Sequence, residues 1–383
     1  MNSKSLLLWE SVSDLPVVAR IAIAGDFLPA GNLAFATACG WREMARGLDF
    51  HFHDVATTFL NLECALGVEG LAPRPLAGIG QVVSAPPESI DYLEAIRCNA
   101  IGLANNHCYD FGPVGLERTR RSISVRGMLP LGAGRSLKDP PEIFLWQGPG
   151  GVRIGFWAAA KATLDPATRK RPGVEPGTLS RSMQALAAMK NQGAGFCIAL
   201  LHAGCIRTNR PDPEDAGWMD LLVKSGFDIV AASHSHRISG FQRISNSPVQ
   251  PSFCFYGLGS LVSGYISSPP EREGLIVVAS FGHHAQLVRL EARPVLLDET
   301  GFGTVPAAES SHAILDRFER LSGEIADGSF ERLFYRDMSK GMLQFYLRDV
   351  RTALRESGLR GLARKAGRMR ARHVRRLVHK MIG

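Results

Sequence analysis

Seven side chains that can hold a metal ion or move a proton recur in one setting along this chain. Asp26, Glu63, Asn106 with His107, His202, and His234 with His236 each follow a short apolar run by zero to three residues. A carboxylate, a second carboxylate that can bridge, an amide carbonyl and three imidazoles make a mixed nitrogen and oxygen donor set. Such a set suits Mn, Zn or Fe(II) better than Mg or Ca, which prefer oxygen alone. Two divalent ions about 3.5–4 Å apart would lower the pKa of bound water and neutralise the charge that grows on a phosphoryl group under in-line attack. Two divalent ions are therefore the expected cofactors. A single His after a strand, or an isolated His-x-His pair, signals little; the order and chemistry of all five positions is the stronger signal.

The runs that precede these residues are Val18–Ala24, Thr57–Leu62, Ala100–Ala104, Cys197–Leu201 and Asp228–Ala232. Continuous apolar runs of this length are what strands buried on both faces look like. Helical patterns lie between them, at Pro87–Cys98, Pro113–Arg126, Ser180–Gln192 and Pro213–Ser225. Alternation of strand and helix predicts a layered α/β fold. In an open sheet of this kind the strand ends line one rim where ligands sit, and parallel neighbours would bring the seven side chains together there. Phe253–Leu297 reads as strands with Gly and Pro punctuation, an antiparallel completion of the domain. The composition shifts near residue 307. The expected division is a domain over 18–306 and a helical extension over 307–383.

The stretches IAIAGDFLPAG, FLNLECAL, VVSAPPESIDYL, AIGLANNHCYDFGPVGLERT, LPLGAG, LLHAG, GFDIVAASHSHRISGFQ and FYGLGSLVSG occur in the order found in a known family and span roughly residues 18–300. The chain resembles the CapA family of capsule synthesis proteins, named for poly-γ-glutamate capsules, within the calcineurin-like metallophosphoesterase superfamily. The resemblance implies a four-layer α/β/β/α sandwich. It implies Asp26 as a carboxylate on the first metal, Glu63 as the bridge, and Asn106, His202 and His234 on the second metal, with His236 on the first. It implies His107 beside the leaving group as general acid or phosphate donor, with Asp110 fixing its tautomer. The sequence also departs from the pattern. Leu28 stands where the superfamily has a His, one that the family typically lacks too. His202-Ala203-Gly204-Cys205-Ile206 replaces His-Trp-Gly-x-Glu. Ser233 replaces the first His of Gly-His-His-Pro-His, and Ser260 an Asn.

Two functions from different classes follow. One is a metal-dependent hydrolase, phosphoesterase-like, in capsule, exopolysaccharide or polyglutamate synthesis. The other is a non-catalytic factor that binds an anionic polymer for the synthesis machinery. The expected partner is an anionic polymer or a small phosphorylated substrate. The net charge of +8 is uneven: residues 348–380 carry +10, so the rest of the chain sums to −2. That segment reads as a basic amphipathic helix for an anionic membrane surface or an acidic protein contact within 348–383. Nucleic acid ranks last, because no aromatic residues are interleaved for base stacking. The apolar run near the N-terminus is too short for a secretory signal, and no run reaches transmembrane length. The chain is therefore read as cytoplasmic, at most peripheral at the inner face of the membrane. Its seven scattered cysteines read as free thiols. The dense cluster His51-Phe52-His53-Asp54 precedes a strand and reads as a structural or solvated surface group. His283-His284 reads as a hairpin turn, Gly132-Ala133-Gly134 as a turn without phosphate-loop chemistry, and Cys108 as no nucleophile.

Overall fold

A computed structural model describes residues 5–12, 15–31, 33, 40–74, 82–161, 165–245 and 251–338. The basic segment 348–380 lies outside the described residues, as does Cys39. The strands that carry the architecture are β1 (Leu6–Glu10), β2 (Ala19–Leu28), β3 (Thr57–Leu62), β4 (Cys98–Gly102), β5 (Leu129–Leu131), β6 (Phe144–Gln147) and β7 (Arg153–Ala160). Then come β8 (Phe196–His202), β9 (Ile229–Ser233), β10 (Phe241–Ser245), β11 (Ser252–Phe255), β12 (Ser260–Ser263), β13 (Glu273–Phe281) and β14 (Leu287–Leu297).

These form two sheets rather than the single open sheet that parallel neighbours alone imply. The first runs β1-β14-β13-β2-β3-β4-β5, and β12 also pairs with β2. The second runs β10-β11-β9-β8-β7-β6. β2, β3, β4 and β5 are parallel, as are β7, β8, β9 and β11. The 253–297 region is antiparallel in the long β13–β14 pair, but β11 and β12 run parallel to β9 and β2. Every residue of β3 and β8 is buried, which is why these segments are apolar on both faces apart from Thr57, Thr58 and Asn61 in β3 and the terminal His202 in β8.

The sheets face each other through aromatic pairs. Phe59 on β3 meets Phe156 on β7 edge to face at 4.8 Å, and Phe196 on β8 meets Phe281 on β13 at 4.9 Å. Helix α1 (Gly112–Ser124) covers the first sheet near β5, while α2 (Leu179–Asn191) and α3 (Pro213–Lys224) cover the second. Side chains alternate along a strand, so Gly155 and Trp157 must face away from Phe156. There Met189 of α2 covers Gly155, and Trp157 packs against Phe227. The four layers are α/β/β/α.

Helix α4 (Ala308–Ala326) buries Ile314, Phe318, Leu321 and Ile325, with Phe318 stacked on Phe241 at 5.4 Å. The first compact unit therefore runs through this helix to Asp327, beyond the division expected near 307; a second unit begins at Gly328. The described cysteines Cys64, Cys98, Cys108, Cys197, Cys205 and Cys254 are free thiols. Among the described residues no helix is long and apolar enough to cross a membrane.

His51 is fully buried, not solvated: its Nε2 lies 2.8 Å from the Pro294 carbonyl. Nearby, the Arg293 fork reaches Asp54 at 2.8 and 3.1 Å. Burial acts to raise the Asp54 carboxyl, but Arg293, then Arg20, outweigh it and hold the group below its ordinary 3.8. A lowered carboxylate stabilises the fold fully above its unfolded value and loses that contribution as pH falls through its native value. Asp54→Asn is therefore expected to cost about 1–3 kcal/mol at pH 7. The two proteins should converge as pH falls below the ordinary carboxylate range, through the lowered native value of Asp54. Urea midpoints across this pH range check both statements.

Candidate metal centre

Asp26 sits near the end of β2, where the backbone must pass another chain segment closely. A Cβ on Gly25 would lie 2.0 Å from the Gly259 carbonyl, the same oxygen that accepts the Asp26 N–H at 3.1 Å. Only Gly fits before this Asp. Glu63 directly follows β3, and its N–H donates to the Phe27 carbonyl at 3.0 Å. β8 ends on His202. β9 ends at Ser233, and the chain then turns through His234 (φ 115°) and His236 (φ 54°), conformations that favour glycine and cost about 1–3 kcal/mol each. Backbone strain of that size concentrates where side-chain placement matters. The His234 N–H donates to Asp26 Oδ2 at 2.9 Å, tying this turn to β2 across the two sheets.

The structure brings together the six residues read as metal ligands, Asp26, Glu63, Asn106, His202, His234 and His236. Glu63 is the hub, with Oε1 3.3 Å from His202 Nε2 and 3.9 Å from His234 Nδ1, and Oε2 3.7 Å from His236 Nε2. His236 Nδ1 stands 3.3 Å from Asp26 Oδ2. Asn106 Oδ1 lies 2.7 Å from His202 Nε2, and the His202 and His234 rings are 4.3 Å apart. Two donor triads result, Glu63-His202-His234 and Asp26-Glu63-His236, each with its donor atoms within 4.8 Å of one another. They share Glu63. Outside this cluster, His107 Nδ1 is 2.8 Å from Asp110 Oδ2, which also accepts the Val83 N–H at 2.8 Å.

The residues fit divalent ions on their own terms. Glu63 Oε2 and His234 Nδ1 are buried without a hydrogen-bond partner; such orphaned atoms are costly unless something fills the gap between them. The charges agree. Burial favours a neutral Glu63, yet the imidazoles of His236 and His202 outweigh it and hold the carboxyl well below its usual range. Burial also works against a charged His236, but Glu63 and Asp26 overcome it and push that imidazole up to about 9. A proton on His236 thus supplies the positive charge that a cation would supply. Burial and His202 push His234 down, keeping it a neutral imidazole able to ligate. Burial lowers His107 too, but Asp110 outweighs it and the net shift is upward.

Three polar residues complete the cluster beyond those read as site residues. Asn61 Nδ2 donates to Asp26 Oδ1 at 2.7 Å and lies 3.3 Å from His202 Nδ1. Asn105 Nδ2 donates to Asn61 Oδ1 at 3.0 Å, while its Oδ1 accepts the backbone N–H groups of His107 (3.0 Å) and Cys108 (2.9 Å). Ser260 Oγ lies 3.3 Å from His236 Nδ1. The sequence holds a signal for Asn61, an amide embedded in an otherwise apolar strand. Leu28 is buried, so nothing polar replaces the His that the superfamily carries there.

The fold is an α/β/β/α sandwich whose strand ends gather donors suited to divalent ions. Residues 20–265 match the family described as bacterial capsule synthesis protein PGA_cap, and the chain belongs to that family. It is similar to the capsule biosynthesis protein CapA of Bacillus anthracis, 27% identical over 47% of this chain and 44% of that protein. It is also similar to the PGA biosynthesis protein CapA of Bacillus subtilis, 25% identical over 46% and 45%. The match spans under half the length of either relative. Among solved structures, the calcineurin-like phosphoesterase YfkN of Bacillus subtilis aligns over 81% of this chain and 99% of that chain, at 13% identity and a TM-score of 0.46.

Proposed function

We propose that the chain is a metal-dependent hydrolase, phosphoesterase-like, that serves capsule or polyglutamate synthesis. The observation that carries this reading is the Glu63 shared between two donor triads, one fully buried and one with only His236 partly exposed, with orphaned atoms aimed into the cluster. Asp26, Glu63 and His236 would hold one ion; Glu63, Asn106, His202 and His234 would hold the other. Bound there, divalent ions would acidify water and neutralise the charge that grows on a phosphoryl group. The chain's own residues supply the rest. Asp110 occupies Nδ1 of His107, which leaves Nε2 to donate a proton to a leaving oxygen. Asn61 holds Asp26 and faces His202 from behind, so the donors keep their geometry without moving.

Ala203 and Ile206 stand where the family carries Trp and Glu. This favours, as a second reading, a cluster that holds an anionic polymer without cutting it. Hydrolysis of an aryl phosphate by the full chain, with Mn, Zn or Fe(II) added, separates the two. Metal-dependent turnover is expected, and its absence across a panel of phosphoesters rules out the hydrolase. Beside that assay, Asn61→Ala should weaken metal affinity about 10- to 100-fold, read by titration of the metal-free protein. An unchanged affinity would deny Asn61 its positioning role.

A further inference from the structure

A second cluster of charged side chains lies far from the metal donors, on the outer face of the first sheet. Arg20 on β2 and Arg289 on β14 both pair with Ser280 on β13. Paired residues share a face of the sheet. The next residue, Phe281, packs on Phe196 of the other sheet. Arg20, Ser280 and Arg289 therefore point outward as one row. Along β14 the same alternation adds Glu291 and Arg293 to that face. From Arg20 to Asp26 is six residues of one strand, about 20 Å. The cluster thus stands at the opposite end of β2 from the metal donors.

These residues, with Asp54 from the segment before β3, wall a cavity of about 240 Å³. Arg293 is the buried member and its guanidinium is fully engaged. Its Nη1 and Nη2 meet Asp54 at 2.8 and 3.1 Å, and its Nε meets Glu291 at 2.7 Å. Arg20 and Arg289 differ, with side chains 37% and 40% exposed. Each leans through Nε on a carboxylate that Arg293 already holds. Arg20 is 3.4 Å from Asp54, and Arg289 is 3.2 Å from Glu291. Arg289 Nη1 also meets Glu10 at 3.3 Å, a half-exposed pair of the kind worth little. Among the described residues, neither fork takes both oxygens of a carboxylate. The cavity wall holds three guanidinium groups against two carboxylates, one positive charge in excess. The Cα atoms of Arg20 and Arg289 are two strand spacings apart, about 10 Å, so both forks can close on one anion.

Two rings complete the wall. Phe50, in the helical turn Asp49–Phe52, is 45% exposed. The His53 ring stands 5.7 Å from it, and His53 Nδ1 lies 2.8 Å from the Phe50 carbonyl, which holds the two together. An aromatic surface beside guanidinium forks suits a flat apolar body with an anionic end. The volume falls below the range of about 300–1,000 Å³ that encloses drug-sized ligands, so the body is small. One surplus positive charge matches a monocarboxylate better than a phosphoryl dianion.

We propose that this cavity binds a small monocarboxylate with a flat apolar body, its carboxylate held by Arg20 and Arg289 and its body against Phe50. Binding there needs neither metal nor hydrolysis. The test is ligand-observed NMR titration of the full chain with benzoate. Benzylamine and phenyl phosphate, which carry the same ring with other charges, serve as comparison probes. Benzoate is expected to saturate one site. Arg20→Gln and Arg289→Gln should each weaken it about tenfold or more, the size of one lost charge-assisted hydrogen bond. Phe50→Ala, outside the buried core, should weaken it as well and reads the site without touching an ion pair. Glu63→Gln should bind benzoate as the wild type does, because the metal centre is remote. Benzoate binding that does not saturate, or that is unchanged in both arginine variants, overturns the proposal. So does benzylamine binding as tightly as benzoate, or a loss of benzoate binding in Glu63→Gln. Phenyl phosphate bound more tightly than benzoate, and weakened by the same arginine variants, overturns the monocarboxylate assignment.

Discussion

Replacing Glu63 by Gln is expected to strip the chain of bound metal and to lower aryl phosphate hydrolysis by about 10³-fold or more, the equivalent of several kcal/mol of lost charge stabilisation. Glu63 is the one side chain common to both donor triads, and it approaches three imidazoles. It is almost wholly buried. The Gln variant keeps the shape and removes the charge, so packing should survive while the balance among His202, His234 and His236 does not. Metal content and turnover measured on the same preparation, beside a far-ultraviolet spectrum, check this. Retention of two ions by the Gln variant would mean that Glu63 is not the bridge.

The second large effect is expected at His107. His107→Ala should reduce kcat by about 10²- to 10⁴-fold, the range of a lost general acid, while metal content stays that of the wild type. The split between the two readouts follows from position: His107 is held by Asp110 at 2.8 Å and belongs to neither donor triad. Asp110→Asn should produce a smaller loss in the same direction, because it disturbs the tautomer and leaves the imidazole in place. A His107→Ala protein with wild-type kcat would favour the polymer-holding reading over hydrolysis.

The donor residues are legible in the sequence because each ends an apolar run, and a strand buried on both faces has no other place for a charged group than its end. The helices α1, α2 and α3 are legible for a related reason, their amphipathic spacing and flanking Pro. What local pattern does not encode is which strand lies beside which. Asp26 and Glu63 end strands of one sheet, while His202, His234 and His236 end strands of the other. The cluster forms where two sheets meet, and only packing such as Phe59 on Phe156 decides that. The roles of Asn61 and Asn105 escape for the same reason, since Asn61 reaches Asp26 and His202, and Asn105 reaches back to Asn61 and Leu62, all far along the chain. Helix α4 shows the limit of composition. Its apolar stripe announces a buried face, but not that Phe241, on a strand of the second sheet, is what Phe318 covers.

The central claim is that the five strand ends hold a pair of cations, and elemental analysis of the full chain purified without chelators tests it most directly. Two transition-metal ions per chain are expected, with Mn, Zn or Fe ahead of Mg or Ca. A protein that retains no metal, and takes up none when Mn or Zn is supplied in excess, would contradict the account.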